Sequence, residues 1–150
     1  MRFIRKATKE SKLIAFHHKI IHNYVAHNVN MKKWNLKDSE NCRYCNEKET
    51  ILHMLANCPE TVKIQKQILR VLLTNCITVN EFIFGNNNKA ETLIFLVVKW
   101  MLWSSRFHGS DLNIHKIISE VKLRISIDRN KLSNFIYHAK WNKYTHILEA

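Results

Sequence analysis

Three cysteines and a histidine fall within seventeen residues as Cys42-x2-Cys45-x7-His53-x4-Cys58. Few folds tolerate that order of soft donors by accident. Zn²⁺ prefers four thiolate or imidazole ligands in a tetrahedron, and a complete set leaves no open position for a substrate water. The pattern therefore predicts one structural zinc ion, of CCHC type, and a binding module rather than an enzyme. The CxxC places two thiolates on one side of a tight turn. His53 follows eight residues after Cys45, far enough for the chain to turn and start a helix. Cys58 comes five residues later, a little more than one helical turn. Such an ion contributes folding energy directly, about 10–16 kcal/mol apparent in small zinc peptides. Thiols buried for packing alone are the alternative, because free cysteine is a common core residue. Cys76, beside Leu72, Leu73 and Ile77, is expected to be that kind of thiol.

The chain of 150 residues is long enough for one module with a real core, and 46% hydrophobic residues exclude a disordered tail. With only two Gly and one Pro, turn signals are few and long helices are favoured. The formal charge of +12 is uneven. Residues 1–37 carry a net +8, residues 38–58 a net −2, and the remainder +6. Such a field concentrates polyanions, nucleic acid foremost, with an anionic membrane surface as the competing reading. No apolar stretch resembles a secretory signal, and the run Leu93–Trp103 is too short to span a bilayer and is interrupted by Lys99. Thiols arranged for metal fit a reducing interior, so the expected location is intracellular, in nucleus, cytoplasm or both.

Periodicity predicts a mainly α, multi-helix domain with a small zinc knuckle inserted after the first helix. Residues 1–37 form a basic N-terminal helix and lead-in, 38–60 the CCHC knuckle, and 61–150 a helical C-terminal part. The first helix is read over 10–29, capped by Ser11, with Leu13, Phe16, Ile20, Ile21, Tyr24 and Val25 as its apolar face. Trp34 and Leu36 are read as packing anchors, and a short helix over Glu47–Asn57 carries His53. A second amphipathic helix spans about 60–75. Residues 79–84 read as strand or extended chain, 85–89 as a loop and Leu93–Trp103 as a buried central helix. Two further helices follow, marked by Ile114, Ile117, Ile118, Val121 and Ile125, then by Leu132, Phe135, Ile136 and Ala139, the last running on through Trp141 and Tyr144.

Other chemistry is excluded by what the chain lacks. His18 and His22 have metal-binding spacing, but the run His18-Lys19-Ile20-Ile21-His22 has no Glu to act as a general base, so it reads as a surface histidine cluster. Asp38, Asp111 and Asp128 are the only aspartates and are scattered, unlike a two-metal site. The candidate nucleic-acid contacts are Lys19, Lys32, Lys33, Lys37, Arg43 and Tyr44. The lysines would neutralise phosphates, while Arg43 and Tyr44 lie between the CxxC thiols. The competing role for Tyr44 is packing against the zinc lobe. An alternative module, for protein interaction, would expose an apolar surface around Trp100, Trp103, Trp141 and Tyr144; core packing is the simpler role for those residues.

The run Lys33–Pro59, KWNLKDSENCRYCNEKETILHMLANCP, resembles the zinc-binding region of non-LTR (LINE-type) retrotransposon reverse transcriptases. The shared features are Trp34 ahead of the thiols, the CxxC, Glu49-Thr50, His53 and Cys58-Pro59. The upstream FHHKIIHNYVAHNVNMKKW resembles the helix leading into that knuckle, and Phe84-Gly85 with Lys99–Phe107 resembles the C-terminal helical part. The resemblance implies a region C-terminal to a polymerase that contacts RNA or DNA, with a reverse transcriptase core as its neighbour. The chain carries no polymerase acid motif, so the resemblance implies no polymerase activity of its own. It is consistent with a truncated element copy, a fragment of a split reading frame, a host protein made from one, or a remnant without function.

Overall fold

A computed structural model describes residues 2–73 and 77–149, and among these the chain is helical, its sole β feature an isolated antiparallel bridge between Asn41 and Lys48. Cys76 lies outside the described residues. In chain order the helices are α1 (Arg2–Ala7), α2 (Ser11–Ile21), α3 (Asn28–Lys33), α4 (Pro59–Val71), α5 (Val79–Phe84), α6 (Lys89–His108), α7 (Ile114–Lys131), α8 (Asn134–Trp141) and α9 (His146–Glu149). A π-helical turn, His53–Asn57, precedes α4, and a 3-10 turn, Asn142–Tyr144, precedes α9.

α6 is the axis of the molecule. Every residue from Thr92 to Lys99 is buried, as a helix covered on all sides requires. α1, α2, α5, α7, α8 and the π-turn all pack against it. Asn88 caps its start by accepting from the amides of Ala90 and Glu91, and Gly109, with φ of 68°, ends it in the left-handed conformation that glycine adopts most cheaply. The buried central helix is thus borne out, although it runs well beyond Leu93–Trp103 at both ends.

The helix expected over 10–29 is two helices. α2 stops at Ile21, Asn23 turns the chain at φ 56°, and α3 starts after His27, its N-cap. Tyr24 therefore leaves the apolar face and is exposed. The residue at the N-cap of α2 is Glu10, not Ser11. α1, which has no counterpart in the sequence reading, buries Ile4 and Ala7. Residues 79–84 are helical rather than extended, because Thr78 and Glu81 form a reciprocal capping box that satisfies the first-turn amides. Trp34 and Leu36 are exposed, not packing anchors. In α8 the buried residues are Tyr137 and Trp141, while Phe135, Ile136 and Ala139 face solvent, the reverse of the predicted face, and the helix ends at Trp141. Trp141 and Tyr144 are core residues and Trp100 and Trp103 are half-buried, so the apolar surface drawn around these four is largely internal.

Candidate metal centre

Each donor reaches the centre by a local device. The bridge between Asn41 and Lys48 closes the CxxC turn, with the Cys42 amide donating to Glu47 O at 2.6 Å and the Asn46 amide to Cys42 O at 2.9 Å. Asn46 sits at φ 62°, a conformation Asn tolerates better than most residues. The helical segment carrying His53 begins after Thr50, not at Glu47, and Thr50 Oγ1 accepts from the His53 amide. The next turn is widened. In a regular α-helix five residues overshoot a full circle by about 140°. The π-turn, sealed by the Cys58 amide to His53 O at 2.9 Å, brings positions 53 and 58 back to one side. Pro59 then occupies the first turn of α4, with Cys58 as its N-cap.

The resulting donor set is Cys42, Cys45, His53 and Cys58, whose ligand atoms all lie within 4.8 Å of one another. Cys42 Sγ and Cys58 Sγ are 3.8 Å apart. Tetrahedral Zn–S bonds of about 2.3 Å give an S···S separation of about 3.8 Å, far longer than a disulfide. His53 Nε2 lies 3.3 Å from Cys45 Sγ, so Nε2 is the ring nitrogen that would face a bound metal. The other ring nitrogen, Nδ1, has the Glu47 carboxylate 3.5 Å away, the acceptor that fixes ring orientation in many zinc sites. The residues fit one structural zinc ion. Bound there, zinc would clamp the CxxC turn to the start of α4.

A cation from far along the chain completes the surroundings. Arg106, on α6, donates from Nη1 to Cys42 Sγ at 3.2 Å and to Glu49 Oε2 at 2.9 Å, and from Nη2 to Thr61 Oγ1 at 2.9 Å. The Arg106 and Glu49 side chains are almost wholly buried. Burial raises the Cys58 thiol, but the Arg106 guanidinium and the amides of Thr61 and Glu60 outweigh it and hold the thiol below its ordinary range. Arg106 itself is held above its ordinary value: burial works against its charge, and the Cys58 and Cys42 sulfurs overcome it. Glu49 is the hub of this side of the lobe. Its Oε1 accepts from the Asn28 amide at 3.2 Å, and its carbonyl meets His27 Nδ1 at 3.0 Å. Glu49 was legible only as part of a motif, and Arg106 carried no local signal at all.

The first 64 residues match the family model described as zinc-binding in reverse transcriptase. The match spans all four donors together with Glu49, and ends within α4, so Arg106 and the later helices lie beyond it. Comparisons with curated proteins and with solved structures gave no match.

The remaining candidates are dispersed around this centre. Lys32 and Lys33 form the last turn of α3 and are exposed, as are Lys19 on α2 and Arg43 between the thiols. Lys37 is exposed but donates to Asn28 Oδ1 at 2.8 Å. Tyr44 is half-covered: the Arg43 and Arg106 guanidiniums lie 5.2 and 4.9 Å from its ring centroid. Trp34, 43% exposed, is an aromatic beside the lysines that the sequence reading assigned to packing. His18 and His22 lie together at the surface, ring centroids 4.3 Å apart and tilted by 41°, as a surface histidine cluster would, whereas His17 and His27 are buried. Among the described residues no helix is long and apolar enough to cross a membrane.

Proposed function

We propose that this chain is a non-catalytic, zinc-stapled module that binds nucleic acid, RNA or target DNA, as an appendage of a LINE-type reverse transcriptase. The observation that carries this reading is the surface ahead of and within the CxxC turn. There the exposed side chains of Trp34, Leu36 and Tyr44 interleave with Lys32, Lys33, Lys37 and Arg43. Cations that neutralise phosphates beside aromatic faces that stack on bases are what single-stranded nucleic acid requires. The acids nearby are partly neutralised: Glu49 by Arg106 and Glu40 by Lys48 at 3.3 Å. Cys42, Cys45, His53 and Cys58 would hold a zinc ion that keeps this surface in shape. An intracellular location, nucleus or cytoplasm, and a reverse transcriptase core as neighbour accord with the same reading.

The test is titration of the zinc-loaded chain onto labelled single-stranded RNA across a salt series. Log affinity should fall linearly with log salt, at about −0.7 per phosphate contacted. Trp34→Ala should cost about 1–3 kcal/mol if the indole stacks on a base, and Lys32→Glu with Lys33→Glu should flatten the salt slope. Weak binding without salt dependence would sink the proposal.

A further inference from the structure

α8 shows an amphipathic face with nothing packed on it. Phe135, Ile136 and Ala139 share one exposed face of α8 at i, i+1 and i+4, and Leu132, the extended C-cap of α7, lies half-buried beside them. Phe135 is 83% and Ile136 47% exposed. They line a groove of about 890 Å³ between α8, α7 and the end of α1, and its walls are mainly apolar. The rim is the opposite of apolar: seven Lys or Arg stand against two acids. Both acids are already engaged, Asp128 by Lys140 at 2.6 Å and Glu10 by Arg124 at 3.4 Å. Lys6, Lys9, Lys89 and Lys131 form no ion pair among the described residues.

The geometry points to a protein-docking groove whose occupant is an amphipathic, acidic helical segment of another polypeptide. An apolar floor of aliphatic side chains and one aromatic takes the hydrophobic anchors of a helix at i, i+3, i+4 and i+7. The unpaired lysines take its Glu and Asp side chains and reject a basic helix, which gives the groove its selectivity. Single-stranded nucleic acid is the poorer occupant, because stacking needs a series of aromatic faces and Phe135 is the one exposed aromatic here. The groove is also remote from the zinc. Lys89 and Arg106 lie toward opposite ends of α6, about 25 Å apart at 1.5 Å per residue. The two faces are thus separate, and the groove does not rest on the nucleic-acid reading.

Fluorescence anisotropy on the zinc-loaded full chain tests this with three labelled probes: an amphipathic Glu/Leu peptide with Leu at i, i+3, i+4 and i+7, the same peptide with Lys for Glu, and a single-stranded oligonucleotide. The acidic peptide should bind and the basic one should not. Phe135→Ser with Ile136→Ser should weaken the acidic peptide about tenfold or more, and Lys89→Glu with Lys131→Glu should do the same, while oligonucleotide affinity stays unchanged with the serine pair. These side chains are exposed, and circular dichroism of each variant checks that it folds. Three results would overturn the proposal. The acidic peptide fails to bind or ignores the serine pair. The serine pair weakens the oligonucleotide instead, making the face a nucleic-acid site. Or the wild-type chain sediments as a dimer that the serine pair dissociates, making the occupant a second copy.

Discussion

Arg106 and Glu49 show how much one buried pair decides. Arg106 satisfies Glu49, Cys42 and Thr61 at once, so its removal strands a carboxylate and a metal-binding sulfur in the interior. Arg106→Met is expected to cost about 3–5 kcal/mol in urea denaturation of the zinc-loaded protein, the penalty of an orphaned buried charge. Adding Glu49→Gln should return part of that loss, since no charge is then left unpaired and the amide oxygen still accepts from the Asn28 amide. Arg106→Lys should rescue poorly, because an ammonium cannot serve three acceptors from one planar fork. Lys99 is the second residue of this kind. It is fully buried in α6, donates to Ile83 O at 2.5 Å, and is held by burial down to about 7. Unfolded, it would titrate near 10.5, so between pH 7 and 10.5 the unfolded chain binds more protons than the folded one. Stability must therefore rise with pH through that window and fall as pH drops toward 7. His17 acts in the same sense at lower pH: burial first, and then the Lys99 charge, push it down to about 3, with neither ring nitrogen hydrogen-bonded. Comparing Lys99→Met with the parent chain at pH 7.5 and 9.5 isolates the lysine. The parent should gain stability between the two pH values relative to the variant, and parallel curves would show that Lys99 keeps its proton in the folded state.

At the level of elements, local chemistry decides more than hydrophobic period. α5 exists because Thr78 and Glu81 cap each other's amides, a signal present in the sequence as Thr-x-x-Glu and overlooked beneath the β-branched and aromatic character of residues 79–84. Thr78→Ala is expected to cost about 0.5–2 kcal/mol by thermal denaturation, and loss of nothing would mean that packing of Phe82 and Ile83 alone holds the helix. The four metal donors were legible because they lie within one short stretch, and their spacing is itself a geometric statement. The π-turn between His53 and Cys58 was implicit in that spacing, since x4 between two donors on one side of a helix demands a turn wider than the α-helix provides. Arg106 was not legible, because its partner Cys42 is 64 positions away and only the packing of α6 on the knuckle brings them together. The face of α8 failed for a different reason. The period marked Phe135, Ile136 and Ala139 as one stripe, but Leu132 is the extended, half-buried C-cap of α7, and a stripe does not say whether this chain or another covers it.

Across the whole molecule, the knuckle and the helical body share contacts that a detachable zinc finger would lack. Met54 and Leu55, within the π-turn, are completely buried in the same core as Phe95 and Leu96 of α6. Trp103 of α6 donates from Nε1 to Ala26 O at 3.2 Å, tying that helix to the segment that leads into α3, and Arg106 lies a turn further on against the thiolates. Metal release would leave sulfurs and a guanidinium in a partly collapsed cleft at one end of α6, so the helix should loosen with the knuckle instead of remaining intact. A ligand that binds only the folded state adds stability in proportion to the logarithm of its free concentration over Kd, about 4 kcal/mol at a thousandfold excess. Chelation should accordingly lower the melting temperature of the helical signal at 222 nm, and on heating the zinc-loaded chain, tryptophan fluorescence and the appearance of dye-reactive thiols should follow one transition. A thiol signal that emerges well before the helical and tryptophan signals would show instead that the knuckle opens alone, leaving the α6 body to stand without it.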